Sequence, residues 1–446
     1  MDNKTIYALS TVFGKSGVAV FRISGKSAFN FFTEMTELKL SKIEPRKMYF
    51  LPIFDVDSRE TLDKCMVVAF KAPHSFTGED TVEINCHGSK AVIRSVSNSL
   101  SKIKGFRLAE AGEFSRRSFY NGKMDLTEAD GLADLIDAET RLQQEVALKQ
   151  MSGTLFNLYE DWRSRLVSLL SYVEAYIDFP DENIPQETVL KLENNVFKIV
   201  EEIENHIAIN KVEERLRDGF QVVISGPTNA GKSSLINAIV KRNIAIVSDI
   251  AGTTRDVIEA YVDIKGFPVI FSDTAGLRDA NDEIEKIGID LARKKIAEAD
   301  FNIFLFDAEN DSPEIFNEYI TEKNNYLLVG NKSDIITVEK RDELIQKGCV
   351  LISAKHNENI EAIIDALFNY FIDIYSSSSA HLITRQRYKE ALEECLCNLK
   401  RFNLSKEIEL SAEDLRLACR AIGKITGRVE VDEILDKIFS SFCIGK

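Results

Sequence analysis

The chain has 446 residues, 44% of them hydrophobic and 28% charged, which excludes a small stapled scaffold, a collagen-like rod and a disordered chain and corresponds to about three domains of ordinary size. Lys and Arg number 56 against 71 Asp and Glu, a net charge of −15, so a general polyanion binder is excluded and any nucleic-acid contact must be local. The seven cysteines are an odd set without a paired CxxC spacing, which reads as reduced thiols rather than a zinc or disulfide framework. The start, Met1 to Thr5, lacks the basic and apolar regions of a signal peptide, and no apolar run reaches the length of a membrane span. Cys443 to Lys446 has the outline of a prenylation box, but a terminal lysine is a poor match for that signal. A cytoplasmic protein is expected.

From Met1 to about Tyr120, short apolar runs broken by turn residues (Val18 to Phe21, Met66 to Phe70, Val82 to Ile84) predict a mixed α/β domain. After Leu126 the period changes. Trp162, Leu166, Leu169, Leu170, Val173, Tyr176 and Ile177 recur at steps of three and four, one apolar stripe of a helix that Pro180 must terminate. Near Arg217 strands begin to alternate with helices: Gln221 to Ser225, Val269 to Ser272, Phe301 to Phe306, Tyr326 to Val329 and Val350 to Ile352 predict a mainly parallel sheet with crossover helices up to about Tyr375. Ser376 to Ser379 reads as a linker, and Ser411 and Asp414 have the spacing of a capping box opening a further helix. Helical sequence on both sides of an α/β unit implies an insertion. The expected domains are 1–120 (N-terminal), 121–214 (helical, first part), 215–375 (inserted nucleotide domain) and 376–446 (helical, second part).

The strongest chemical signal is Gly226-Pro227-Thr228-Asn229-Ala230-Gly231-Lys232-Ser233 followed by Ser234, a GxxxxGKS loop between a strand and a helix. Its glycines let backbone N–H groups curl around phosphate oxygens, Lys232 neutralises the outer phosphates and the Ser233 hydroxyl is placed for magnesium. Asn331-Lys332-Ser333-Asp334 follows a strand, and a carboxylate at Asp334 accepts two hydrogen bonds from the N1 and N2 edge of guanine, which adenine cannot offer. Ser353-Ala354-Lys355, after the last strand, supplies a backbone N–H for guanine O6.

Between these lies Asp273-Thr274-Ala275-Gly276, where Asp273 can hold magnesium through water and the Gly276 N–H can sense the third phosphate. Thr253 and Thr254 fall where a switch threonine completes the magnesium shell, and both loops should order with GTP and relax after hydrolysis. One absence matters. Leu277 follows Gly276, where Ras-like proteins carry a water-orienting glutamine. The nearest downstream carboxylates are Asp279, Asp282, Glu283 and Glu285, and spacing does not choose among them.

Together the segments Val20 to Gly25, Phe76 to Asp80, Asn121 to Leu126, Ile177 to Pro180, Asp249-Ile250-Ala251-Gly252-Thr253-Thr254-Arg255-Asp256 and Phe442 to Lys446 resemble the MnmE (TrmE) family of tRNA modification GTPases over nearly the whole chain. The resemblance implies an N-terminal folate-binding and dimerisation domain, a discontinuous helical domain and a Ras-like G domain. It also implies an FAD-dependent partner, MnmG. With it the family installs an aminomethyl-type group on C5 of wobble uridine in certain tRNAs, with carbon from a tetrahydrofolate (5-formyl or methylene form) and amine from glycine or ammonium. Carried over by motif, the folate contacts fall on Arg22, Glu83, Lys123 and Lys446. Potassium falls on Asn229, Ser248, Ile250 and Thr253, magnesium on Ser233 and Thr254, and the water-positioning glutamate on Glu285.

A monovalent cation beside the phosphates offsets the charge that an arginine finger offsets elsewhere. Thr228 stands where the family has proline, and Thr11-Val12-Phe13-Gly14 replaces a more Pro/Gly-rich start. Cys443 is a tempting nucleophile and equally a small apolar side chain in a last helical turn; a thiol needs a lowered pKa to attack. A GTPase switch in ribosome assembly would share the nucleotide motifs but not the folate-like domain or the CIGK end. A stand-alone folate-dependent aminomethyltransferase would need no flavoprotein. Lys102, Lys104, Arg107, Arg116, Arg117 and Lys123 against Glu110, Glu113 and Asp125 make a locally basic stretch, either a phosphate-facing strip or a solvated helix face.

Overall fold

A computed structural model describes residues 4–178, 186–209, 211–242, 259–273, 293–321, 325–376, 385–404, 408–429, 435, 438, 439, 442 and 445. Two compact units emerge: 1–133 with 151–165 and 419–446, and 134–150 with 166–418.

In the first unit, β1 (Thr5–Leu9), β2 (Ser16–Ser24), β3 (Met48–Phe54), β4 (Thr61–Phe70), β5 (Thr81–Gly88) and β6 (Phe106–Leu108) form one sheet in the order β3-β4-β5-β2-β1-β6. All pairs are antiparallel except β1 with β6. Alternation along the strands sorts the side chains to two faces. One face carries Phe21, Ile23, Val67, Val82 and Ile84, and it packs on α1 (Asn30–Met35) and α2 (Lys90–Lys102) through Phe31, Phe32, Ile93, Val96 and Leu100. Ser89 caps α2 by accepting the Val92 N–H. The other face carries Ile6 and Ala8, which meet Phe114 of α3 (Glu113–Tyr120) and Phe76. Leu126 and Ala129 of α4 (Leu126–Asp137) bury against Leu435, Phe439 and Phe442, so the chain end belongs to this unit.

The second unit holds β7 (Phe220–Ser225), β8 (Glu259–Ile264), β9 (Phe267–Asp273), β10 (Phe301–Asp307), β11 (Tyr326–Asn331) and β12 (Val350–Leu351) in the order β12-β11-β10-β7-β9-β8. Every pair is parallel except β8 with β9. The five expected strands are present, most a residue or two longer than predicted. β8 was not anticipated; it is the antiparallel edge, joined to β9 by a turn at Lys265 and Gly266. Phe220, Phe267 and Phe371 stack as the core of one face, with ring centroids 4.3 to 5.9 Å apart. Phe304, Phe306 and Phe316 fill the other.

Of the helices after α4, α5 (Arg141–Met151), α6 (Thr154–Asp178), α7 (Gln186–Ile209) and α8 (Lys211–Asp218) precede the sheet. Next come α9 (Lys232–Arg242), α10 (Val338–Gln346), α11 (Ile360–Ser376), α12 (Gln386–Arg401) and α13 (Ile408–Thr426). α6 ends at Asp178, and its Trp162, Leu166, Leu169 and Val173 are buried, as the stripe requires. The expected capping box is corrected. α13 already begins at Ile408, Ser411 lies inside it and donates to the Asn403 carbonyl, and Asp414 pairs with Arg401, so neither side chain opens the helix. The serine linker lies almost wholly outside the described residues. No helix among the described residues is long and apolar enough to cross a membrane.

Candidate functional site

β7 is buried along most of its length and delivers the chain to the phosphate loop at Gly226. There the backbone passes so close to β10 that any Cβ would collide with the Leu305 carbonyl, so only glycine fits. Asn229 and Gly231 both take left-handed backbone angles, φ 69° and 97°, which turn the chain back into the first turn of α9. Lys232 is buried, and its ammonium donates to the Gly226 and Pro227 carbonyls at 2.9 and 3.0 Å. Ser233 and Ser234 lie exposed on that first turn. Asp273, buried at the end of β9, stands level with Ile224 of β7, two residues before Gly226.

Asn331 joins the guanine side to the phosphate side. It is buried at the end of β11; its Nδ2 donates to the Ala230 carbonyl at 2.8 Å and its Oδ1 accepts the Ala354 N–H at 3.0 Å. One amide thus ties the phosphate loop, the Asn331 to Asp334 loop and the Ser353 to Lys355 loop. Of the backbone N–H groups of Ser353-Ala354-Lys355 expected to serve guanine O6, that of Ala354 is therefore already engaged. Asp334 receives a hydrogen bond from the Ser353 hydroxyl, which holds its carboxyl below the usual carboxylate range, with positive charge on Lys355 and at His356 adding to the effect. The His356 Nε2 lies 3.5 Å from Asp334 Oδ2.

Sequence reasoning missed Asp307. Lys332, at φ 64°, reaches back to its carboxylate at 2.6 Å. Burial raises the Asp307 carboxyl, but hydrogen bonds from Lys332, Asn310 and the Glu309 N–H outweigh it, and the acid stays below its usual range. The signal was present: an aspartate directly after six buried strand positions marks a polar group held at a sheet's carboxyl edge.

The other predicted residues divide plainly. Ser248, Asp249, Ile250, Ala251, Gly252, Thr253, Thr254, Thr274, Ala275, Gly276, Glu285, Cys443 and Lys446 lie outside the described residues. In the first unit, Arg22 and Glu83 are cross-strand partners on β2 and β5 and form an ion pair at 2.9 Å. The Arg22 guanidinium lies over the rings of Phe76 and Phe114, 5.0 and 5.8 Å from their centroids. Lys123 follows α3 and packs along the Gly78 turn. These cations and the carboxylate share one side of the sheet with an aromatic wall that the sequence did not reveal.

Similar proteins bear on both units. A family description "GTP-binding protein TrmE N-terminus" matches residues 5–123, and "MnmE helical domain" matches 126–443. The tRNA modification GTPase MnmE of Rickettsia bellii is 45% identical over 99% of this chain and 100% of its own length. That of Rickettsia typhi is 44% identical over the same shares. The chain belongs to the MnmE family of tRNA modification GTPases. The MnmE helical-domain match runs through the whole nucleotide sheet, so the G domain is an insertion in that domain. Among solved structures, the G domain of the T. maritima FeoB iron transporter covers 35% of this chain and 98% of that chain at 22% identity, with a TM-score of 0.26.

Proposed function

We propose that this chain hydrolyses GTP and, with an FAD-dependent MnmG protein, adds an aminomethyl or carboxymethylaminomethyl group to C5 of the wobble uridine of tRNA. The observation that carries the reading is the tie at Asn331, which gathers the phosphate, guanine and Ser-Ala-Lys loops into one site in a chain 45% identical to a tRNA modification GTPase. Asp334 accepts from guanine N1 and N2, and guanine O6 shares the Ala354 N–H with Asn331. Lys232 leaves the loop carbonyls for the outer phosphates. Glu285 orients the attacking water, the role that Leu277 cannot fill.

The exposed Ser233 hydroxyl and the Asp273 carboxylate are hard oxygen donors of the kind that suits magnesium, with Thr254 completing the set. Asn229 offers a neutral amide oxygen from an exposed turn, which suits potassium, with Ser248, Ile250 and Thr253 as its other ligands. Bound there, the two cations offset the charge that develops on the phosphate oxygens. Arg22 of the 1–120 domain and Lys123 just beyond it suit the carboxylates of a tetrahydrofolate, and Glu83 suits its pterin donors, with Lys446 closing the site. The apolar side chains Met48, Phe50 and Met66 are exposed on β3 and β4, which supports a homodimer. The remaining domains are 121–214, 215–375 and 376–446, and the setting is the cytoplasm.

The test is GTP turnover with magnesium in potassium against sodium at equal ionic strength. Turnover should be several-fold faster in potassium, and Asn229→Ala should abolish that difference. Equal rates in both salts would remove the potassium site and leave a partner-activated switch.

A further inference from the structure

The cations of the stretch from Lys102 to Asp125 are largely answered within the fold. Lys102 sits 2.8 Å from Asp57 and 3.3 Å from Asp55, Arg107 forks onto Glu113 at 2.6 and 2.7 Å, and Arg117 is buried between Glu79 and Glu113. Two acid-free segments carry further cations, of which Arg22, Lys102 and Arg107 are likewise answered, by Glu83, Asp57 and Glu113. Residues 3–33 contain Lys4, Lys15, Arg22 and Lys26 and no Asp or Glu; residues 84–109 contain Lys90, Arg94, Lys102, Lys104 and Arg107 and again none. In a chain of net charge −15 that is a strong local reversal.

The sheet brings parts of these two segments together, because Ser16 at the start of β2 pairs with Gly88 at the end of β5. The loop before Ser16 therefore lies beside the first turn of α2. The Lys90 ammonium and the Arg94 guanidinium both lie near the ring of Phe13, 5.9 and 6.0 Å from its centroid. Phe13 is 48% exposed and Val12 90%. Lys15, Lys90 and Arg94 are exposed, and among the described residues none has a carboxylate partner. The root of the loop is fixed: the Ser10 hydroxyl donates to the Gly445 carbonyl, and Thr11 Oγ1 accepts the Val20 N–H.

An exposed aromatic ring beside unneutralised cations fits a polyanion with unstacked bases, the phosphates meeting the cations and a base lying on the ring. A duplex keeps its base faces hidden and could not use the ring. A membrane anchor needs a broad apolar face rather than one ring beside two cations. We propose that Phe13, Lys15, Lys90 and Arg94 form a docking surface for an unpaired RNA segment, with a base stacked on Phe13. The proposal rests on the reading of the chain as a tRNA-modifying GTPase and names where the RNA engages it.

The experiment uses the full chain, a fluorescein-labelled RNA stem-loop with an unpaired loop, and a blunt RNA duplex of equal length, read by fluorescence anisotropy across salt. The stem-loop should bind more tightly than the duplex. Phe13→Ala should weaken the stem-loop roughly 5- to 160-fold, the range of one base stack, and leave the duplex unchanged, while Phe13→Tyr restores binding. Lys90→Ala with Arg94→Ala should lower the slope of log affinity against log salt by about 1.4, two single-strand phosphates' worth. Stem-loop affinity unchanged in Phe13→Ala would overturn the proposal. So would binding of phosphatidylserine vesicles without binding of RNA. GTP turnover in the same samples reports folding; intact potassium-stimulated turnover with no RNA binding would remove this surface and leave the GTPase reading standing.

Discussion

At the scale of single residues, the proposed preference for guanine rests on one carboxylate whose charge is well protected. Replacing Asp334 by Asn substitutes a donor for an acceptor opposite guanine N2, and two charge-assisted hydrogen bonds of about 1.5–3 kcal/mol each are lost or reversed. Asp334→Asn should weaken GDP binding by at least about 100-fold and favour xanthosine diphosphate, whose C2 carbonyl accepts from the new amide; competition between the two nucleotides measures it. The pH dependence follows from the same hydrogen bond. Because the Ser353 hydroxyl holds the Asp334 carboxyl below its usual range, the charged acceptor persists as pH falls. This residue's contribution to GDP affinity should be flat down to the ordinary aspartate value of about 3.9 and decline only below it. GDP affinity titrated between pH 7 and pH 4 tests this, and a decline already near pH 5 assigned to Asp334 would contradict it. Asp334 and Lys332 were legible because the motif is a contiguous string whose chemistry needs no fold to interpret. Ser353 was legible as part of the Ser-Ala-Lys loop but not as the partner of Asp334, and Asp307 was not legible at all, because strand pairing rather than sequence spacing brings each of them to the motif.

At the scale of elements, most of the nucleotide sheet could be read because its strands are buried on both faces and appear as continuous apolar runs. β8 could not: Glu259, Tyr261 and Asp263 interrupt the run, and as an antiparallel edge strand it pairs on one side alone. β3 escaped for a related reason, since it is also an edge and holds Pro52. The capping signature at Ser411 failed because a hydroxyl three residues before an acid is also an ordinary feature of a helix interior; here the hydroxyl bonds back to Asn403 instead. What holds the sheet to its helices is more exact than periodicity suggests. Phe371 of α11 is fully buried, with its ring 4.3 Å from that of Phe220 and 5.7 Å from that of Phe267. Phe371→Ala removes one member of this cluster and leaves a cavity under the strand that feeds the phosphate loop. The loss should be about 3–5 kcal/mol, measured as a lower urea midpoint by far-ultraviolet circular dichroism. GDP should partly restore the midpoint. A loss below about 1 kcal/mol would mean that the neighbouring rings collapse into the space.

At the scale of the whole molecule, each unit holds its own candidate site: the first has the cross-strand Arg22–Glu83 pair with Phe76 and Phe114, and the second has the loops proposed to take the guanine nucleotide. A ligand that binds one native unit stabilises that unit by RT ln(1 + [L]/Kd), about 2.7 kcal/mol at a hundredfold excess over Kd. The chain has a single tryptophan, Trp162, which is buried in the first unit beside Tyr159, so its fluorescence reports that unit alone. Far-ultraviolet circular dichroism reports both. Heating should therefore give two transitions by circular dichroism, one of them coincident with the Trp162 midpoint, with excess GDP raising the other and leaving the Trp162 midpoint within about a degree of its value without nucleotide. α6 and α13 each begin in one unit and end in the other, so the opposite outcome has a physical route as well. If GDP moves both midpoints together, those continuous helices couple the units by an amount equal to the shift at Trp162. That shift would then be the direct measure of how much free energy from nucleotide binding reaches the unit that carries Arg22, Glu83 and the Phe13 loop.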